Sequence, residues 1–201
     1  RSFIGGGYTN KISDDSGYIG AGQSNEIAIG VYSSIAGGFN NTANNSYVGI
    51  PGGTEADIHL YGAMGHASGK FSTIGDAQTM QTVLRTTTAD VSNHIMFIDD
   101  STQRLTVPIG ASWYFKVKTV ARKATTGDSA IYTMEGGIKN VAGATSLLAA
   151  ATINEIHEDD ATWTISIAAN NTDDSLDITV NSNGSNVAWV STIEITQVIY
   201  P

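Results

Sequence analysis

Ser2-Phe-Ile-Gly-Gly-Gly-Tyr-Thr-Asn10, Ser16-Gly-Tyr-Ile-Gly-Ala-Gly-Gln-Ser-Asn25 and Ser33-Ser-Ile-Ala-Gly-Gly-Phe-Asn-Asn41 are copies of one phrase. A worn fourth copy, Ser46-Tyr-Val-Gly-Ile-Pro-Gly-Gly53, follows. The apolar anchors Ile4, Ile19, Ile35 and Val48 recur about every 15 residues, the mark of stacked structural units rather than of one compact core. Each copy reads as a short strand, a glycine turn and a polar stretch ending in Asn. The turns fall at Gly5, Gly6 and Gly7, then Gly20 and Gly22, Gly37 and Gly38, and Gly52 and Gly53, because glycine allows tight turns and close backbone approach.

One coil of chain per copy turns only one or two apolar side chains inward, too few to offset the entropy of ordering its residues. The repeat therefore predicts coils that stack on one another and on other copies of the chain, as a homotrimer around a common axis. A single-chain solenoid is the alternative, and the abrupt start without a polar cap weighs against it.

Composition changes near residue 75: sixteen of the 22 glycines lie before residue 76. Beyond it the hydrophobic period becomes two. Trp113, Phe115, Val117 and Thr119 alternate with Tyr114, Lys116 and Lys118; Trp163, Ile165 and Ile167 with Thr164 and Ser166. Leu176, Ile178 and Val180 alternate with Asp177 and Thr179, and Trp189, Ile193 and Ile195 with Val190, Thr192 and Glu194. Turns rich in Asn, Asp and Gly separate these strands. The sequence thus predicts an all-β chain in three parts: a glycine-rich coil array over 1–75 (a β-roll or β-helix-like shaft or shoulder), transition strands over 76–110, and an antiparallel, jelly-roll-like β-sandwich head over 111–201. All three tryptophans fall on apolar faces and are expected in the core.

The net charge of −9 and the lack of a basic run argue against nucleic acid as a partner. No apolar run is long enough for a membrane-spanning helix, so no membrane insertion is expected. Without cysteine there is neither a disulfide nor a thiolate metal site. His59 and His66 are read as exposed or hydrogen-bonded rather than as metal ligands; no metal, cofactor or catalytic residue is expected.

The Ser-x-Ile-Gly-Gly-Gly-x-x-Asn phrase resembles the head repeats of trimeric autotransporter adhesins and repeats found in bacteriophage tail fibres. The remainder is similar to a C-terminal domain common on phage tail fibres. The phrases that carry this are Gly75-Asp-Ala-Gln78, Val83-Leu-Arg85, Arg104-Leu-Thr-Val-Pro108, Trp113-Tyr-Phe115, Val120-Ala-Arg122, Glu158-Asp-Asp-Ala-Thr-Trp163 and Ala188-Trp-Val190. The resemblance implies a homotrimeric, extracellular virion fibre whose tip touches a cell-surface receptor. Adhesins of that class end in a membrane-anchoring barrel. The soluble strand ending Ile199-Tyr200-Pro201 instead favours a phage fibre or a phage-derived bacterial fibre, the latter at the cell surface or in the periplasm.

The leading functional expectation is a non-enzymatic fibre tip that attaches multivalently to a surface glycan. One alternative is a fragment of a tail-spike polysaccharide depolymerase; the other is a structural spacer without a ligand. The acidic pairs Asp14-Asp15, Asp99-Asp100, Asp159-Asp160 and Asp173-Asp174 could in principle supply the two carboxylates of a glycosidase, but each lies in a turn, where Asp is favoured for local hydrogen bonds. For glycan binding the candidates are Asn170, Asn171, Asp173 and Asp174 at one end of the head, with Tyr132 as a stacking face, because recognition usually sits on the loops of a scaffold.

Overall fold

A computed structural model describes residues 1–200, so Pro201 lies outside the described residues. The described residues divide into two compact units, 1–82 with 195–200, and 83–194. The division falls within two long strands.

The first unit is a β-solenoid of about four turns. Its strands are β1 (Phe3–Ile4), β2 (Lys11–Ile12), β3 (Tyr18–Ile19), β4 (Glu26–Ile29), β5 (Ser34–Ile35), β6 (Thr42–Asn44), β7 (Gly49–Ile50), β8 (Asp57–Ile58) and β9 (Met64–His66). They form two parallel ladders. Odd-numbered strands β1 to β9 stack in one and β2, β4, β6 and β8 in the other. The first ladder carries the inward row Ile4, Ile19, Ile35, Ile50, and the second carries Ile12, Ile27, Ala43, Ile58. The fourth anchor is therefore Ile50. Val48, chosen from the sequence, is buried two residues earlier and outside the row.

These two rows correct the argument that the coils need other chains to bury their interior. Within one chain Ile19, Ile27, Ile35, Ala43, Ile50 and Ile58 are all 1% exposed or less. Each large aliphatic side chain so buried contributes about 1.5–3 kcal/mol. Two inward positions per coil, multiplied by stacking, suffice to close a core.

The Asn that ends each phrase also has a role its turn propensity hid. The left-handed backbone belongs to the residue before it, Thr9, Ser24 and Asn40. The Asn side chains instead form a ladder in the interior. Asn25 N–H donates to Asn10 Oδ1 at 3.0 Å, Asn41 N–H to Asn25 Oδ1 at 3.2 Å, and Ala56 N–H to Asn41 Oδ1 at 3.1 Å. Their amides donate to the carbonyls of Gly22, Gly38 and Gly53, each at 2.9 Å. Asn25 and Asn41 are fully buried and satisfied, as a buried polar group must be.

Gly38 shows why the turn between the ladders cannot take a side chain. Its φ is 102°, and a Cβ there would land on the carbonyl oxygen of Gly53 in the next coil. At Gly6 and Gly52 a Cβ would meet nothing within 4 Å, and at Gly37 only ordinary contacts.

The last rung of the second ladder is finished by a side chain. Gln78 Oε1 accepts from Asp57 N–H at 2.9 Å and its Nε2 donates to Asp57 O at 2.7 Å, which supplies the bonds of one more strand. Asp76, fully buried, accepts the N–H groups of Phe71, Ser72 and Thr73 at 2.7–2.8 Å and fixes the preceding turn. Both residues belong to the Gly75-Asp-Ala-Gln78 phrase.

The second unit is antiparallel. Its strands are parts of β10 (Ala77–Thr88) and β19 (Val187–Ile199), with β11 (His94–Ile95), β12 (Leu105–Thr106), β13 (Ala111–Lys123), β14 (Ser129–Val141), β15 (Ala144–Leu147), β16 (Thr152–Glu158), β17 (Thr164–Asn170) and β18 (Ser175–Asn181). One sheet runs β19-β13-β14, with β15 and β16 sharing the far edge of β14; in the other, β18 is flanked by β11 and β12 and also pairs with β17. On β13 the alternation is as expected: Trp113, Phe115, Val117, Thr119 and Ala121 are buried, and Tyr114, Lys116, Lys118, Val120 and Arg122 are exposed. All three tryptophans are buried, and Trp163 lies against Trp189 at 5.7 Å between centroids. Thr119 pairs with Ser191 through their hydroxyls at 2.7 Å, and Trp189 Nε1 donates to Thr88 Oγ1 at 3.0 Å.

Candidate functional site

The structure brings the four turn candidates together. Asn170 Oδ1 accepts from the N–H of Thr172 and Asp173 at 2.9 and 3.1 Å, while its amide donates to Asp173 and Asp177, each at 2.9 Å. Asn171 Oδ1 accepts from Thr145 N–H at 2.7 Å, and Asp174 Oδ1 from the Thr145 hydroxyl at 2.8 Å. Arg104 completes the cluster. Its Nη1 donates to both oxygens of Asp177 at 2.9 Å, its Nε lies 3.3 Å from Asp173, and its guanidinium covers the Phe97 ring at 5.1 Å. Asp177, placed by sequence on the polar face of its strand, is 8% exposed and tolerated there because Arg104 neutralises it. These side chains brace the turn, and Asn171 and Asp173 remain exposed on it.

Tyr132 is a correction. It is 3% exposed and its ring stacks on Trp189 at 6.4 Å, so no open face remains for a sugar. Burial, together with the hydroxyl's hydrogen bond to Glu158 and the negative charge of Glu158 and Glu155, drives its pKa well above the ordinary tyrosine value.

The other acidic pairs also serve turns. Burial would raise the Asp99 carboxyl, but the N–H groups of Gln103, Thr102 and Ser101 outweigh it and hold the group well below the usual range. Asp159 is lowered chiefly by Ser129 N–H, and Asp160 by the Thr162 hydroxyl. Ionised groups of this kind are unsuited to donating a proton near neutral pH.

Asp57 differs. Desolvation pushes its carboxyl up to about 6 against a hydrogen bond from Asn44, and its Oδ1 is buried with no hydrogen-bond partner among the described residues. Nothing local marks it in the sequence, since Gly75 and Gln78, which pack beside it, lie about 20 residues further along the chain.

The solenoid also presents aromatic rings outward. Phe3 stacks on Tyr18 at 5.7 Å, Tyr32 on Tyr47 at 5.4 Å, and Tyr47 meets Tyr61 at 5.2 Å. Exposure is 70% at Tyr8, 61% at Tyr32, 57% at Phe3, 49% at Tyr47, 47% at Tyr18 and 43% at Phe39. Tyr32 and Tyr47 hold these positions with left-handed backbone, φ 60° and 59°, which is uncommon for bulky residues.

Solved structures of phage tailspike proteins resemble the chain. One is the tailspike protein gp49 of Acinetobacter baumannii bacteriophage Fri1, a capsular polysaccharide depolymerase, at 11% identity and a TM-score of 0.40, covering 92% of this chain and 37% of that one. The A. baumannii phage AM24 tailspike matches at 8% identity and 0.30, covering 95% and 47%. The Acinetobacter phage vB_ApiP_P1 tailspike matches at 12% and 0.25, covering 99% and 55%. The chain thus spans about a third to a half of the length of these proteins. No protein-family model and no curated protein sequence matches it. With a depolymerase among these structures, the expectation of a non-enzymatic protein is withdrawn.

Proposed function

We propose that the chain is part of a phage tail protein, a tailspike or tail fibre, that engages a cell-surface polysaccharide outside the cell. The observation that carries this reading is the set of exposed aromatic rings on a solenoid with its own rigid core. Apolar rings left in water on a soluble surface mark a binding face, and an aromatic ring with polar neighbours suits the apolar face of a sugar. The repeat phrase and the ordered C-terminal phrases add the fibre resemblance. In this reading residues 1–75 are the shaft, 76–110 a transition and 111–201 a sandwich head, three copies assemble, and joined weak contacts become stable adhesion through effective concentration.

Binding to immobilised host capsule or lipopolysaccharide tests it. The chain should be retained, and Tyr32→Ala combined with Tyr47→Ala should lower retention at least about five-fold, the loss of one stacking contact. Equal retention of the double variant would contradict the assignment of the aromatic face.

A second reading, the depolymerase fragment, is favoured by Asp57. A glycosidic general acid must hold its proton near neutral pH, and Asp57 is the carboxyl found raised among the described residues. New reducing ends on incubation with capsule, abolished by Asp57→Asn, would support it. Their persistence in that variant would remove Asp57 from the chemistry.

A further inference from the structure

The outer face of β13, β14 and β16 carries a cavity of about 260 Å³ that the sequence reading passed over. Register builds it. Lys116 lies opposite Glu135 and Lys118 opposite Thr133 across β13 and β14, and Thr133 lies opposite Asn154 across β14 and β16. All point away from the core, because Val117, Tyr132 and Met134 between them point in.

What separates this cluster from the turns is which groups are already engaged. Glu135 is held from one side, with the Tyr114 hydroxyl donating to its Oε2 at 3.1 Å, and this fixes the Tyr114 ring beside it at 47% exposure. Lys118 pairs with Glu194 at 2.9 Å. Lys116 stays 3.9 Å from Glu135, beyond hydrogen-bond distance, and the side chains of Thr133 and Asn154 have no hydrogen-bond partner among the described residues. An ammonium, a hydroxyl and an amide therefore converge on one cavity with free hydrogen-bonding capacity, next to an oriented carboxylate and an aromatic ring.

We propose that this cavity binds one carboxylate-bearing sugar residue. Its volume falls below the roughly 300–1,000 Å³ of pockets for drug-sized ligands, which suits a single ring. The lining combines polar groups with the apolar Val117 and Met134, which suits a ring that carries hydroxyls on its edge and an apolar face. Of the two ammonium groups in the lining, Lys118 is already neutralised by Glu194, so Lys116, 3.9 Å from Glu135 and without a hydrogen bond to it, is the group that takes an anion. The ligand's carboxylate pairs with Lys116 and its hydroxyls with Glu135, Thr133 and Asn154, with Glu135 held in place by Tyr114. The inference takes only its ligand class from the polysaccharide reading, and it concerns a different surface.

The test is a titration of the isotope-labelled full chain with glucuronate, galacturonate and N-acetylneuraminate, each against its neutral methyl ester, followed by amide shifts. At least one acid should shift the amides of Lys116, Thr133 and Asn154, and its ester should bind at least about five-fold more weakly. Lys116→Gln and Asn154→Ala should each weaken binding by a similar factor. Both side chains are exposed, so an unchanged spectrum of the core amides verifies the fold. Acids and esters binding alike, shifts confined to other strands, or no shift with any acid would overturn the proposal. Capsule retention that survives both variants but fails with the Tyr32 and Tyr47 variants removes this cavity and leaves the broader reading. The converse removes the aromatic face and leaves the cavity.

Discussion

The two units solve the same problem, burying one face of a short strand, in opposite ways. In the solenoid each coil repeats a small inward set, Ile, Ile and a hydrogen-bonded Asn, and the bonds that join coils run to the coil just before or after. In the antiparallel unit the interior is made of large, non-repeating side chains brought from far apart in the chain, Trp113, Trp163 and Trp189 among them. The first arrangement makes stability a sum of nearest-neighbour terms, whereas the second makes it collective. Damage should therefore spread in one unit and stay local in the other.

Trp189→Ala tests the collective side most severely. It removes the ring that Tyr132 and Trp163 pack on and the indole N–H that the Thr88 hydroxyl accepts. A loss of about 3–5 kcal/mol is expected in denaturant unfolding. Amide protection should fall across residues 83–194 together; a loss confined to β19 would break the contrast.

Gly38→Ala should cost roughly 2–4 kcal/mol, from left-handed strain and collision with the Gly53 carbonyl. Exchange should accelerate in the flanking coils, residues 20–55, and leave β1 and β2 less affected. Uniform loss over all the coils would show that the solenoid is collective too.

The buried carboxyls sharpen the comparison through pH. With a folded value raised to about 6, Asp57 favours the folded state most while protonated, and this contribution is lost as pH rises from about 4 through 6. Asp57→Asn should accordingly stabilise by up to about 3 kcal/mol at pH 8 and by little at pH 4. In Asp76, burial raises the carboxyl but the N–H groups of Ser72, Thr73 and Phe71 lower it further, so its contribution is present above the ordinary carboxylate range and lost as pH falls below it. Melting temperature against pH for wild type and Asp57→Asn checks both signs. Smallest of all should be Lys11→Gln, which breaks an exposed pair with Glu26 and should change stability by under about 1 kcal/mol.

The two units were also unequally legible. The period near 15 revealed the coils, and the period of two revealed the strands that carry Trp113 and Trp189. Hidden were the features that exist only after stacking. Ile12, Ile27, Ala43 and Ile58 sit in polar stretches, and the small Ala43 breaks their pattern, so the second inward row was missed and the coils looked too thin to stand alone. Asn10, Asn25 and Asn41 read as turn residues because the ladder they form lies between coils. Tyr132 could not be placed because its neighbours Trp189 and Glu158 come from other strands. The cavity beside Lys116 arises from three strands in register, which no local pattern encodes.

The central claim is that the solenoid closes its interior within a single chain. Hydrogen exchange at the amides of Tyr18, Gly20, Glu26, Ser34 and Ala36, each bonded to the following coil at 2.8–3.0 Å, tests it most directly when recorded above and below the concentration at which the chain sediments as one copy. The account predicts the same protection on both sides of that concentration. Protection that disappears with dissociation would show that the coils depend on their neighbours after all.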